Sequence, residues 1–286
     1  MAIEVGVFAL SGALKEYNTV NHEITKTIFA KKPEFNLTLA ENLYTKTEIF
    51  PEAQYYTAGT VEQRVAGLKA LDPDVYYALK GGYGVQHCVD EIDKLDLGNK
   101  VFFGYSDLTA LFIRLYKKYQ DKVSVFYSPM FNELAEISEA ESKAFFYFLE
   151  NHNKANYKED LLELTVGLKD LLDIHDSVFL KEECFVWGGN LSLLVAENYI
   201  PKIGKKNILF VEDCYEEAYK IERLFFCLKN QGFLENIDEL WLGEEQETRY
   251  NLELVESFAK DYGFKLIYGL PFGHKTRFTL PLYRDY

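Results

Sequence analysis

Short runs of apolar residues recur in the first half of the chain, and segments with helical spacing lie between them. The runs are Ile3–Leu10, Val75–Leu79 and Val101–Phe103, and each is followed by glycine or polar residues. Buried parallel strands have this continuous apolar character. In Leu108–Tyr119 the apolar residues instead fall on one face of a helix. Strands that alternate with helices predict a parallel α/β sheet.

The same alternation returns in the second half of the chain. Its predicted strands are Cys184–Trp187, Asn207–Val211, Leu240–Leu242 and Lys265–Tyr268, with helices at Glu217–Lys229 and Leu252–Tyr262. Between the two series, Asn151–Glu163 is polar and has no clear period, which indicates a linker. We therefore predict two α/β domains, residues 1–150 and 176–286, joined by a linker at residues 151–175.

Composition and charge narrow the class of protein. Of the 286 residues, 48% are hydrophobic, which is enough to form a core, and the net charge of -14 would repel a nucleic-acid backbone. No apolar run approaches the roughly 20 residues that span a bilayer, and Glu4 interrupts the N-terminal run, so neither a membrane span nor a secretory signal is expected. The four cysteines lack metal-ligand spacing and fit a reducing compartment. We expect a cytoplasmic protein without a metal.

Ser106 is the first candidate for chemistry. It lies in Gly104-Tyr105-Ser106-Asp107, between a predicted strand and an amphipathic helix. The N–H groups and dipole of a helix N-terminus stabilise negative charge, and a serine nucleophile needs such a place because its reaction generates an oxyanion. The alternative is that Ser106 or Asp107 only caps the helix. The segment departs from the Gly-x-Ser-x-Gly elbow because Leu108 replaces the final glycine.

Two further candidates lie in the second half of the chain. Glu212 follows the strand Asn207–Val211, where an acid can orient an imidazole, although it can equally open an exposed turn. His274 ends the loop Gly269–His274, and an ordinary loop histidine is the alternative there. The run Lys80–Gly84 matches neither a phosphate-binding loop nor a dinucleotide fingerprint, so taken alone it predicts a turn whose amides can face an anion.

Together and in this order, these segments resemble the LD-carboxypeptidase family of serine peptidases, which includes murein tetrapeptide carboxypeptidases and microcin C immunity hydrolases. The matching landmarks extend along nearly the whole chain: Leu10-Ser11-Gly12, Ala58-Gly59-Thr60 with Arg64, Gly81–Gly84, Gly104–Leu111, Ser128-Pro129-Met130, Gly188–Ser192, Leu209–Asp213 and Gly269–His274. The segments centred on serine and histidine are the most specific of these.

The resemblance implies a role for each candidate. Ser106 would be the nucleophile, in the N-terminal domain, and Glu212 and His274 would complete a Ser–Glu–His triad from the C-terminal domain. The oxyanion hole would use the backbone N–H groups of Asp107 and Gly82. The implied reaction is the release of a terminal D-amino acid, D-Ala, from the L,D-peptide bond of murein tetrapeptides during peptidoglycan recycling. A homodimer that needs no cofactor is expected.

The resemblance leaves open which residues bind the substrate. Tyr83, Asn190 and Arg64 are candidates, and the terminal carboxylate of an exopeptidase substrate needs a cation such as Arg64, Lys80 or Arg277. Lys80 stands where the family usually has arginine, and residues 196–201 lack the Gly-Thr common there. The chain also ends at Tyr286, where many relatives continue. These departures affect loops at the expected cleft and leave the triad residues in place.

Three other functions fit parts of the pattern. Some relatives hydrolyse microcin C-like aminoacyl or peptidyl nucleotides and so confer self-immunity. Trp187 and Tyr83 are candidate aromatics for a base, and buried packing is the alternative for Trp187. A binding homologue that has lost catalysis is the second alternative, which an intact triad disfavours. A flavodoxin-like or periplasmic-type small-molecule binder is the third, and it rests on the fold class alone.

Overall fold

The computed structural model describes residues 2–14, 18–53, 55–244 and 250–286. The chain divides into two compact units, Met1–His152 and Asn153–Tyr286. In the N-terminal unit the elements are, in chain order, β1 (Ile3–Phe8), α1 (Asn18–Ala30), β2 (Phe35–Leu39), β3 (Thr47–Phe50), β4 (Tyr55–Thr57), α2 (Val61–Ala70), β5 (Val75–Ala78), α3 (Val89–Ile92), β6 (Val101–Gly104), α4 (Leu108–Tyr119), β7 (Ser124–Tyr127) and α5 (Glu139–Glu150).

The N-terminal unit is built on a parallel sheet in which these strands have the order β7-β6-β5-β1-β2. Every residue of β5 and β6 is buried, as their unbroken apolar sequences require. Aromatic rings fill much of this core, and Phe103 stacks on Phe126 with 4.3 Å between ring centroids. Because the strands are parallel, the loops after β1, β5, β6 and β7 all begin at one edge of the sheet. These loops include Ser11, Gly81 and Ser106.

The C-terminal unit repeats this plan. Its elements are α6 (Lys158–Leu164), α7 (Leu168–Ile174), α8 (Val178–Lys181), β8 (Cys184–Asn190), α9 (Leu191–Glu197), β9 (Lys206–Glu212), α10 (Ala218–Asn230), β10 (Glu239–Gly243), α11 (Leu252–Tyr262), β11 (Lys265–Leu270), β12 (Leu280–Leu282) and β13 (Arg284–Asp285). The order β11-β10-β9-β8 is parallel, and β13 pairs antiparallel with β8. The predicted class, two α/β units with parallel-strand sheets, is confirmed.

Two segments singled out in the sequence have defined surroundings in the C-terminal unit. Residues 151–175, predicted as a linker, contain helices α6 and α7. Leu161, Leu168 and Leu172 are fully buried, so a few leucines spaced among acidic residues anchor this segment despite its polar composition. Trp187, a candidate base-binding aromatic, is also fully buried, and its indole N–H donates to Asn207 Oδ1 at 2.5 Å. It is a core residue.

The contact between β8 and β9 gives a direct test of the packing. Gly188 has φ +138°, and a Cβ atom added to it would lie 1.8 Å from the carbonyl oxygen of Phe210. We therefore expect Gly188→Ala to lower the free energy of unfolding by about 3 kcal/mol or more in urea denaturation. Gly204→Ala is the matched control, because its added Cβ would have nothing within 4 Å. Equal stability of the two variants would contradict this packing.

Candidate active site

Ser106 lies on a sharp turn between β6 and α4. Its φ is +61°, a left-handed conformation that costs a non-glycine residue about 1 kcal/mol or more. The turn is held by its backbone, since Ser106 N donates to Tyr127 Oη at 3.3 Å and Thr109 N donates to Ser106 O at 2.9 Å. A strained strand-to-helix turn of this kind presents the nucleophile in α/β-hydrolases. Ser106 itself is partly exposed.

Asp107 connects this turn to neighbouring loops through hydrogen bonds to its side chain. Its side chain makes no capping bond to α4, so the alternative that Asp107 caps the helix is wrong. Instead, Oδ2 of the buried carboxylate accepts from Ser11 Oγ at 2.6 Å and from Val85 N at 3.0 Å. Burial raises the pKa of Asp107 to about 6, against the opposing effects of these two hydrogen bonds and of Arg64. One side chain thus joins the loops that follow β1, β5 and β6.

The Gly81-Gly82 turn lies directly against the serine. A Cβ atom added to Gly81 would lie 3.2 Å from Ser106 Cβ and 3.3 Å from Ser106 Oγ. Tyr55 supports the far side of the turn, where its hydroxyl accepts from Tyr83 N at 2.5 Å. The structure therefore brings this turn next to Ser106, as an oxyanion hole for a serine nucleophile would require. The assignment of the Asp107 and Gly82 N–H groups as the donors stays a prediction.

Glu212 and His274 form a close pair in the C-terminal unit. Nδ1 of His274 lies 2.5 Å from Glu212 Oε2, across 62 residues of sequence. The Glu212 side chain is 1% exposed and that of His274 is 14% exposed. Glu212 is the last residue of β9, and His274 lies in the loop after β11. This loop can pass over the carboxylate because Gly273 has φ +116°, and a Cβ there would lie 2.7 Å from Glu212 Oε2.

The electrostatics of the pair favour a charged imidazole. Burial alone would lower the pKa of His274, but the charge of Glu212 and the hydrogen bonds with Cys214 and Glu212 outweigh it and raise this pKa well above 6.5. Burial raises the pKa of the Cys214 thiol, although its hydrogen bond with His274 acts in the opposite direction. The pair therefore gains most of its Coulombic attraction when His274 carries the proton.

Asp213 fixes the strand end that carries Glu212. Its carboxylate accepts from Asn190 Nδ2 at 3.1 Å, from Ser192 N at 3.2 Å and from Cys214 N at 2.9 Å. Burial, and then the charge of Glu212, raise the pKa of Asp213 to about 6. These bonds join the end of β9 to the start of α9. The sequence pattern gave no reason to single out this side chain.

The candidate substrate-binding residues differ in their surroundings. Arg64 is 2% exposed, and its guanidinium donates to the carbonyl oxygens of Leu10 and Gly84, which gives it a structural role and no support as a substrate ligand. Asn190 is also buried, where it caps α9 and contacts Asp213. Tyr83 is 37% exposed.

In residues 2–14, 18–53, 55–244 and 250–286, no group of three or more His, Cys, Asp or Glu side chains is placed to hold a metal ion. Within the same ranges, no helix has the length and apolar character needed to cross a membrane. All four cysteines are free thiols; Cys88 and Cys184 are buried, while Cys214 and Cys227 are half-buried.

Two family models match the chain, one in each compact unit. The model of the LD-carboxypeptidase N-terminal domain matches residues 5–127, and that of the LD-carboxypeptidase C-terminal domain matches residues 183–285. Together they cover most of the chain. The first contains Ser106, and the second contains Glu212 and His274.

Individual relatives match the chain at low sequence identity. A Bacillus subtilis protein named "Probable murein peptide carboxypeptidase" is 28% identical over 77% of this chain and 70% of its own length. The microcin C7 self-immunity protein MccF of Escherichia coli is 24% identical over 68% of this chain and 64% of its own. Alignments with two further relatives, from Streptomyces coelicolor and Rickettsia conorii, span only 60% and 63% of those proteins.

Solved structures share the fold over almost the full length. MccF in complex with glutamyl sulfamoyl guanosine has a TM-score of 0.75 at 20% identity, covering 98% of this chain and 91% of the other. A muramoyltetrapeptide carboxypeptidase from Oxalobacter formigenes has a TM-score of 0.69 at 21% identity, covering 98% and 92%. At this level of sequence identity, the structural similarity establishes the fold alone.

The left-handed φ of Ser106 predicts an unusual stability effect. Glycine adopts this conformation without strain, so we expect Ser106→Gly to have a free energy of unfolding about 0.5–1 kcal/mol higher than Ser106→Ala. The matched control is Ser142 in the middle of α5, where Gly should be about 1 kcal/mol less stable than Ala. Urea denaturation of the four variants measures both differences. The same sign at both positions would contradict a strained turn at Ser106.

Proposed function

The chain belongs to the LD-carboxypeptidase family, and on that premise we propose that it is a serine carboxypeptidase with Ser106 as nucleophile, His274 as general base and Glu212 as the residue that orients the base. Its substrate would be a murein tetrapeptide, from which it releases the terminal D-Ala. The names of the Bacillus subtilis and Oxalobacter formigenes proteins, which refer to murein or muramoyl peptides, support this choice of substrate.

The observation that supports the proposal best is the hydrogen bond between Glu212 and His274. A buried carboxylate on Nδ1 places the imidazole proton on that nitrogen, so Nε2 is the basic nitrogen of the neutral ring. The carboxylate also stabilises the imidazolium that forms when the ring accepts a proton. A loop histidine without a catalytic role would not require a buried carboxylate 2.5 Å from its ring. Nor would it require a glycine where the chain passes close to that carboxylate.

The proposed reaction follows from these groups. His274 accepts the proton of the Ser106 hydroxyl as Oγ attacks the carbonyl carbon of the L,D-peptide bond. The oxyanion is stabilised by the backbone N–H groups of Asp107 and Gly82, each worth roughly 2.7–4 kcal/mol of barrier. His274 then donates its proton to the departing amine of D-Ala, and water releases the acyl group from Ser106. No cofactor takes part in this scheme, which we place in the cytoplasm and in a homodimer, as the family resemblance implies.

A second candidate function is the hydrolysis of aminoacyl or peptidyl nucleotides. The microcin immunity relative and its complex with a sulfamoyl guanosine suggest it. One feature of this chain favours it: Tyr83 and Phe50 are 37% and 45% exposed, and their ring centroids lie 5.7 Å apart beside the Gly81-Gly82 turn. Exposed aromatic faces of this kind can stack on a base.

Cleavage of defined peptides tests the proposed function. We expect the protein to release D-Ala from L-Ala-D-Glu-L-Lys-D-Ala or its diaminopimelate counterpart, detected by mass spectrometry. Ser106→Ala should lower the rate by at least about 10³-fold while its thermal unfolding temperature stays close to that of the parent, because the turn is held through backbone atoms. Retention of full activity by folded Ser106→Ala would exclude Ser106 as nucleophile. Cleavage of an aminoacyl sulfamoyl adenosine, with both peptides left intact, would favour the second function.

The raised pKa of His274 predicts a pH profile. The base must be neutral to accept a proton, so kcat/KM should rise with pH along a limb centred above pH 6.5. Glu212→Gln removes the charge that raises this pKa and leaves the burial that lowers it. We expect this variant to lose on the order of 10²- to 10⁴-fold in kcat and to show the limb at lower pH. An identical limb in parent and variant would contradict the role of Glu212.

A further inference from the structure

A small pocket opens beside the nucleophile turn within the N-terminal unit. Its lining includes Gly12, Ala13, Lys46, Tyr55 and Lys80. The described residues that line it include two lysines and no acidic residue. In a chain with a net charge of -14, two ammonium groups at one small pocket form a local site for an anion.

Backbone contacts fix the position of this pocket relative to Ser106. Gly12 N donates to Gly81 O at 3.2 Å, and a Cβ atom added to Gly12 would lie 3.5 Å from Lys80 Nζ. A Cβ added to Gly81 would in turn lie 3.3 Å from Ser106 Oγ. Lys80 Nζ and Ser106 Oγ therefore both lie beside the contact between Gly12 and Gly81.

The ammonium of Lys80 is held at the wall of the pocket. It is half-buried, and Nζ donates to the carbonyl oxygen of Ala13 at 3.4 Å, a long bond that orients the group. Arg64, a candidate for the same role, is buried with its guanidinium bonded to two backbone carbonyls. Lys80 is therefore better placed than Arg64 to meet a ligand.

We propose that Lys80, assisted by Lys46, binds the terminal carboxylate of the substrate and thereby makes the enzyme an exopeptidase. This inference rests on the proposed function and deepens it. In a peptide, the carbonyl that Ser106 would attack and the terminal carboxylate are separated only by the amide nitrogen and one Cα atom. The cation that recognises the carboxylate must therefore lie close to the nucleophile, as a residue next to Gly81 does.

A pair of substrates that differ only in charge tests this role. The first is L-Ala-D-Glu-L-Lys-D-Ala, and the second is the same peptide with a C-terminal carboxamide. We expect the parent enzyme to cleave the acid with a kcat/KM about 10- to 100-fold higher than that of the amide, as a charge-assisted contact predicts. Lys80→Met should remove this preference, mainly through KM for the acid, and lower cleavage of the acid at least about 10-fold more than cleavage of the amide. Lys80→Arg should restore the preference.

Two controls separate recognition from folding. Lys69→Met replaces an exposed lysine on α2 and should keep the parent's preference for the acid. Thermal unfolding of each variant checks that it is folded. Lys46→Met should reduce the preference for the acid by a smaller factor than Lys80→Met. An undiminished preference for the acid in Lys80→Met, or an equal loss on both substrates, would overturn the proposal.

Binding measurements distinguish failure of this inference from failure of the proposed function. Calorimetric titration of Ser106→Ala with the intact acid and amide peptides requires no turnover. Tighter binding of the acid, lost when Lys80→Met is added, would support the carboxylate site even if the parent cleaved neither peptide. Equal affinity for acid and amide would overturn the site, whatever the activity of the parent.

Discussion

The hydrogen bond between Glu212 and His274 is the interaction on which the proposed chemistry depends. A carboxylate that is 1% exposed is costly to bury unless a partner compensates for its lost hydration, and His274 Nδ1 at 2.5 Å is such a partner. The arrangement requires backbone to pass close to the acid, and Gly273 makes this possible. Asp213 adds a second constraint, because its three hydrogen bonds hold the end of β9 against α9. The positions of Glu212 and His274 are therefore fixed by the end of β9 and by the loop that follows β11.

In the N-terminal unit, the ends of parallel strands likewise position Ser106. Parallel strands deliver the loops after β1, β5 and β6 to one edge, and the buried Asp107 carboxylate ties these loops together through Ser11 and Val85. The strain of the Ser106 turn is thus balanced by a hydrogen-bonded frame. The Gly81-Gly82 turn and Lys80 belong to this frame as well. The proposed nucleophile, oxyanion donors and carboxylate site all lie on this one set of loops.

Much of the architecture could be predicted because it is encoded locally. Unbroken apolar runs predicted the main parallel strands, and the bounds predicted for α11 agree with the structure. Helices α6 and α7 were not predicted within residues 151–175, because sparse leucines among acidic residues give too weak a helical period. The hairpin β3–β4 went unpredicted, since its short strands carry no continuous apolar run.

The candidate site was predictable in its residue types and less so in its contacts. Ser106, Glu212 and His274 were found through ordered segments, but the left-handed φ of Ser106 is a property of the folded turn. Asp107 Oδ2 meets Ser11 across 96 residues, and no local pattern reports such a contact. Arg64 is a candidate on sequence because an exopeptidase needs a cation for the terminal carboxylate, whereas the fold uses its guanidinium to bind backbone carbonyls.

We propose that Ser106 and His274, which belong to different compact units, act together as nucleophile and base. A double-mutant cycle on kcat/KM with Ser106→Ala, His274→Ala and the combined variant tests this most directly. If the two residues act together, the combined variant loses no more activity than either single variant, because removing one already disables the other. If the two losses multiply, or if either single variant keeps the activity of the parent, the residues do not form a common nucleophile and base, and the account is contradicted.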